Sequence, residues 1–98
     1  MVKLIRWSDE ANDVFEEMTS YLQEHYSLQT ATKFADAVYA KIDVLILYPD
    51  IGRPSPKNSI VRIAKIDKNV LMFYKFDGSE LLITDFFNTR QDPNKRKY

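Results

Sequence analysis

Val70-Leu-Met-Phe-Tyr-Lys-Phe-Asp-Gly-Ser-Glu-Leu-Leu-Ile-Thr-Asp-Phe-Phe87 is the stretch whose reading decides the fold. Its flanks, Val70–Phe76 and Glu80–Phe87, are rich in β-branched and aromatic residues and read as strands. Asp77-Gly78 between them is a two-residue hairpin signal of the primed turn type. Just upstream, Ile60–Ile66 has the same period of two, and Asp67-Lys68-Asn69 turns it into the next strand. Three consecutive antiparallel strands are therefore expected.

Both faces of this meander are apolar. Val70, Met72, Tyr74 and Phe76 point one way, Leu71 and Phe73 the other; Leu81, Ile83 and Phe87 likewise oppose Leu82 and Phe86. A sheet with one solvated face should alternate apolar and polar residues. One face thus needs a cover that helices on the other side cannot supply. The occupant is another chain, a copy of the same chain, or the segment Thr89–Tyr98 folding back. Around it the strands gather Arg53, Lys57, Arg62, Lys65, Lys75, Arg90, Lys95, Arg96 and Lys97. Arg53, Lys65, Met72, Tyr74, Lys75, Phe86 and Arg90 are the candidate partner-binding residues.

Upstream, the period changes. Val2–Trp7 reads as a short strand, and Ser8 as an N-cap followed by Asp9 and Glu10, whose charge suits the start of a helix dipole. Ala11, Val14, Phe15, Met18, Tyr21, Leu22 and Tyr26 form one helical stripe. Ser27 caps a second helix with the stripe Ala31, Phe34, Ala35, Val38, Ile42, Leu45 and Ile46, ended by Pro49. Almost nothing separates the helices, so a helical hairpin is expected. Asp50–Ser59 is a loop stiffened by Pro54 and Pro56. The fold class is α+β, a single domain over residues 1–98 in the order β-α-α-β-β-β, with the hairpin on one face of a mostly antiparallel sheet.

Composition narrows the chemistry. The 98 residues contain no cysteine, which removes disulfides and thiolate chemistry. The single histidine, His25, ends the first helix, where a cation complements the dipole. No apolar run approaches the roughly 20 residues of a membrane span. Met1–Trp7 is too short and too soon charged for a signal peptide, so a cytoplasmic domain with no membrane role is expected. No metal and no cofactor are expected. Net charge is zero, yet residues 1–50 hold nine acids against four bases and residues 51–98 ten bases against five acids. An acidic side and a basic side follow. An enzyme built from this inventory would use cations around a phosphate, which points to metal-independent RNA cleavage through the 2′-hydroxyl.

Several ordered motifs then coincide. They are Trp7-Ser-Asp-Glu-Ala11, Tyr21-Leu22, Tyr48-Pro-Asp-Ile-Gly-Arg-Pro54, Val61-Arg62, Phe73-Tyr74 and Phe86-Phe-Asn-Thr-Arg-Gln-Asp-Pro93. Over nearly its whole length the chain resembles the RelE/ParE superfamily of type II toxin–antitoxin toxins. That resemblance implies a bacterial growth inhibitor neutralised by a cognate antitoxin, whose disordered segment folds on binding. RelE-like members cut mRNA on the ribosome, and for that role Lys57, Arg62, Arg90 and Tyr98 match the catalytic set. ParE-like members poison DNA gyrase, and the ending Asn88–Asp92 resembles theirs more closely. A toxin-like binding module without activity is the third reading.

Overall fold

The computed structural model describes residues 2–98, and Met1 lies outside them. The elements are β1 (Leu4–Trp7), α1 (Asp9–His25), α2 (Leu28–Leu47), β2 (Arg53–Pro54), β3 (Arg62–Lys65), β4 (Val70–Phe76) and β5 (Glu80–Asn88), followed by a short 3-10 turn, Pro93–Lys95. The sheet order is β1-β5-β4-β3-β2. β1 runs parallel to β5 at one edge, and every other pairing is antiparallel. Two helices on a mixed sheet give the α+β class that the periodicity anticipates.

Local chemistry sets the element ends. The Ser8 hydroxyl accepts from the Ala11 amide at 3.0 Å and donates to the Thr84 carbonyl at 2.7 Å, so the cap of α1 is also tied to β5. Ser27 caps α2 through the Thr30 amide at 3.0 Å. The Asp67 carboxylate takes the amides of Asn69 and Val70, which turns β3 into β4. At the β4–β5 hairpin Asp77 and Glu80 close the turn, leaving Gly78 and Ser79 as its two central residues. Gly78 has φ +97°, and no other residue type takes a positive φ among the described residues. That is the II′ pattern, with glycine in the first central position.

The segment 50–59 is more ordered than a loop. Arg53 and Pro54 pair with Ile63 and Arg62 as a fifth strand at the sheet edge. Proline fits there because its missing N–H is not asked to join a further ladder. The third strand is shorter than Ile60–Ile66, and Ile60 stands 72% exposed.

Between the hairpin and the sheet lies the main core. α2 contributes Phe34, Val38, Ile42 and Leu45, and the sheet Ala64, Val70, Met72, Tyr74, Leu81, Ile83 and Phe86. Trp7 meets Phe15 edge-on at 5.2 Å and Phe86 at 5.6 Å, joining β1, α1 and β5. Burial on this side corrects three candidate partner-binding residues. Met72, Tyr74 and Phe86 are enclosed beneath the helices and present nothing to a partner.

The reason is partly a β-bulge. Phe73 pairs with Asp85 but Tyr74 pairs with Ile83, so Thr84 is the extra residue on β5. The insertion turns Phe86 toward the helices with Leu81 and Ile83, and sends Phe87 to the opposite side. Simple alternation placed Phe87, not Phe86, with Leu81 and Ile83. The bulge leaves the Thr84 hydroxyl buried without a hydrogen-bond partner among the described residues. Thr84→Val, which keeps the β-branched shape and removes the orphan hydroxyl, should raise stability by about 1 kcal/mol in urea unfolding.

Candidate functional site

The outer face, away from the helices, follows from register. Arg53, Ile63, Phe73 and Asp85 share one row across the sheet, Lys65, Leu71 and Phe87 a second, and Lys75 and Leu82 a third. Val61, Ile63, Leu71, Phe73 and Phe87 form an apolar cluster of their own. Arg53 and Lys65 are exposed beside it and Lys75 is half-buried, so these three cations do stand on one face with the apolar residues.

That face is not bare. Of the three possible occupants, the structure shows the segment after β5. Asp92 caps the 3-10 turn by accepting from the Asn94 amide, and the chain then runs back across the sheet. The Tyr98 ring packs on Phe73 with centroids 5.3 Å apart, and the Arg96 guanidinium lies 5.5 Å from the same ring. The Ser55 hydroxyl donates to the Tyr98 carbonyl at 2.6 Å, and the Lys57 ammonium donates to the Arg96 carbonyl at 2.5 Å. Lys97 pairs with Glu10 on the first turn of α1. Beneath this strap Phe73 is 1% exposed.

The cations expected to converge are dispersed. Lys57 and Tyr98 both belong to the strap and its anchor. Arg62 pairs with Tyr74 and has the parity of Ala64, so it rises on the helix side. Its guanidinium donates to the carbonyls of Asp50 (3.0 Å) and Gly52 (2.7 Å). Arg90 lies past the end of β5, at the rim of an open groove of about 800 Å³ between the helical hairpin and the sheet end. Val14, Met18, Leu22, Phe34 and Val70 line its apolar part, with Glu17, Lys33 and Asp67 among its charges. Nothing in the sequence announces this groove, because it depends on how the hairpin leans over the sheet.

Arg62 and Tyr74 instead explain the motif Tyr48–Pro54. The Tyr74 hydroxyl donates to the Pro49 carbonyl at 2.7 Å and accepts from the Gly52 amide at 3.0 Å. A Cβ at residue 52 would run into that hydroxyl and the Ile63 carbonyl, so glycine is required there by close approach. Burial holds the Tyr74 phenol above its ordinary pKa, against the smaller opposing pull of the Gly52 amide and Arg62. On the outer face burial likewise raises the Asp85 carboxyl. The Phe86 amide and Lys97 act against it, and Glu10 adds to it.

The model of the family described as "ParE toxin of type II toxin-antitoxin system, parDE" matches residues 5–93. The chain belongs to the ParE toxin family. Comparison with curated proteins by sequence finds no match. Among solved structures, the chromosomal ParDE toxin–antitoxin system from P. aeruginosa is similar at TM-score 0.75 and 18% identity, over 90% of this chain and 96% of that one. A chain of the E. coli DinJ-YafQ toxin–antitoxin complex is similar at TM-score 0.65 and 11% identity, over 92% and 96%. A conserved hypothetical protein from Helicobacter pylori follows at TM-score 0.54 and 15% identity, over 93% and 98%. These likenesses establish a shared fold. The ParE family match ends at residue 93, so Arg96 and Tyr98, which close the outer face, lie beyond the matched region.

Two outcomes follow. Tyr74→Phe keeps the ring but leaves the Gly52 amide and the Pro49 carbonyl without their partner, and should cost about 2 kcal/mol of unfolding free energy in urea. For Asp85, the folded state holds a proton that the unfolded chain has released. Its contribution to stability therefore falls as pH rises from the ordinary carboxylate value through the raised one. Asp85→Asn should flatten that slope in urea midpoints measured between pH 4 and 7.

Proposed function

We propose that this ParE-family toxin inhibits bacterial growth by binding a protein target, DNA gyrase, and that a cognate antitoxin neutralises it. The observation that carries the reading is the dispersal of Lys57, Arg62, Arg90 and Tyr98. Cutting a phosphodiester without a metal requires cations and a proton-transfer group around one phosphate, held near contact distance. Here Arg62 is committed to backbone carbonyls on the helix side, Arg90 stands at the groove, and Lys57 holds the strap. Such an arrangement suits recognition rather than catalysis.

The gyrase reading is supported by the family match, which runs through Arg90-Gln91-Asp92, the ending that resembles the ParE-like branch. An antitoxin partner is supported by the similar structures, which come from ParDE and DinJ-YafQ toxin–antitoxin systems. Two features of this chain could receive a segment that folds on binding, the open groove at Arg90 and the cation-rimmed outer face.

The test is biochemical. Purified toxin added to gyrase, plasmid and ATP should accumulate cleaved DNA after protein denaturation, and an equimolar antitoxin should abolish the effect. Codon-internal cuts in mRNA from a translating extract, lost in the Arg62→Ala, Arg90→Ala double variant, would instead establish a ribosome-dependent nuclease. Induction without any growth defect would leave only a binding module.

A further inference from the structure

Helix α2 is apolar on two sides. Phe34, Val38, Ile42 and Leu45 face the core. On the helix's back, Ala37, Ala40, Val44 and Leu47 recur at spacings of three, four and three, the a/d rhythm of a helix–helix seam. Val44 is 39% and Leu47 61% exposed, Ala40 is exposed and Ala37 half-buried. Ile51 falls at the next a position in sequence, exposed on the turn that Tyr74 and Arg62 clamp. A helix with one buried stripe carries charge on its opposite face, as α1 does at Asp9, Asp13, Glu16, Glu17 and Glu24. The back of α2 breaks that rule over its C-terminal half. Its nearest charges are Asp36 and Lys41, one on each flank of the seam.

We propose that this seam pairs with the same seam of a second copy, giving a parallel two-fold dimer of the free chain. The flanking charges choose both the occupant and the direction. With Ala37 and Val44 at a and Ala40 and Leu47 at d, Asp36 takes position g and Lys41 position e. In a parallel pair a g residue lies beside the e residue five positions on in the other helix, so Asp36 of each copy meets Lys41 of the other. An antiparallel pair would bring the two Lys41 flanks together, and likewise the two flanks that hold Asp36 and Asp43. Neither Asp36 nor Lys41 has an ion-pair partner among the described residues, and no acid stands three or four positions from Lys41. The two-fold supplies a partner for both. Alanine at two seam positions lets the helix axes approach closely. The seam spans about one and a half heptads, short of the roughly 800 Å² per partner of a standard interface, so the dimer is weak, with a Kd of about 10–100 μM.

The experiment is sedimentation velocity on the purified full chain across about 1 μM to 1 mM, where dimer should replace monomer near the expected Kd. Val44→Glu with Leu47→Glu, both exposed, should stay monomeric throughout while the urea midpoint barely moves. Asp36→Lys alone and Lys41→Asp alone should each weaken association about tenfold, and the two together should restore it. Because the chain has no cysteine, Ala40→Cys reports the direction of pairing. A parallel two-fold brings the two introduced thiols together, so mild oxidation should link them far faster than the thiols of Glu24→Cys on α1. A monomer at every concentration overturns the inference. So does a dimer that Val44→Glu with Leu47→Glu leaves intact, that the double charge exchange fails to restore, or in which Ala40→Cys links no faster than Glu24→Cys. None of these readouts depends on whether gyrase is the toxic target.

Discussion

Strand β4 has large apolar side chains on both sides, and the rest of the structure answers to that. A helical hairpin can shield one face of a sheet and no more. The inner face takes Met72 and Tyr74 against α2 and is closed in the ordinary way of an α+β fold. The outer face holds Leu71 and Phe73, flanked by Ile63 and Phe87, and water there would face a continuous apolar surface. The molecule resolves this with segments far apart in sequence: an edge strand with its following loop, and a strap that brings Tyr98 onto Phe73. The second core is small, built on strands β3 to β5 and capped by Tyr98, and bordered by cations.

Much of the scaffold is written in local sequence. Ser8 and Ser27 cap where the hydroxyl should, Asp67 and Gly78 turn where the backbone needs them, and the helical stripe of α2 is the buried one. Each of these depends on neighbours within a few residues. What local reading misses is decided between elements. Alternation shows that Met72 and Phe73 oppose each other, but not which of them the helices cover, because both sides are equally apolar. The bulge at Thr84 reverses the parity of Phe86 and Phe87, and no signature in Ile83-Thr84-Asp85 announces it. Hence local sequence admits Met72, Tyr74 and Phe86 as partner-binding candidates although the fold encloses them, whereas Arg53, Lys65 and Lys75 lie on the outer face.

The basic residues carry a related lesson. Their number in the second half of the sequence is a statement about charge, and the fold decides what each does. Arg62 spends its guanidinium on two carbonyls of the Pro49–Gly52 turn, Lys57 on a strap carbonyl, and Lys97 on Glu10. With Tyr74, Arg62 makes the Tyr48–Pro54 motif a clamped turn, so a stretch shared with the family through resemblance has a structural cause in this chain. The dispersed cationic set bears on the proposal of a protein target, because metal-free cleavage of a phosphodiester needs its cations to converge.

The most direct measurement of this account is the nuclear Overhauser contact between the rings of Tyr98 and Phe73 in the free protein. A folded-back strap that closes the second core requires strong cross-peaks between them, with Tyr98 ring protons shifted away from random-coil positions by the neighbouring ring. Random-coil shifts and no cross-peak would mean that the outer face stands open in solution, contradicting the closure on which the second core depends.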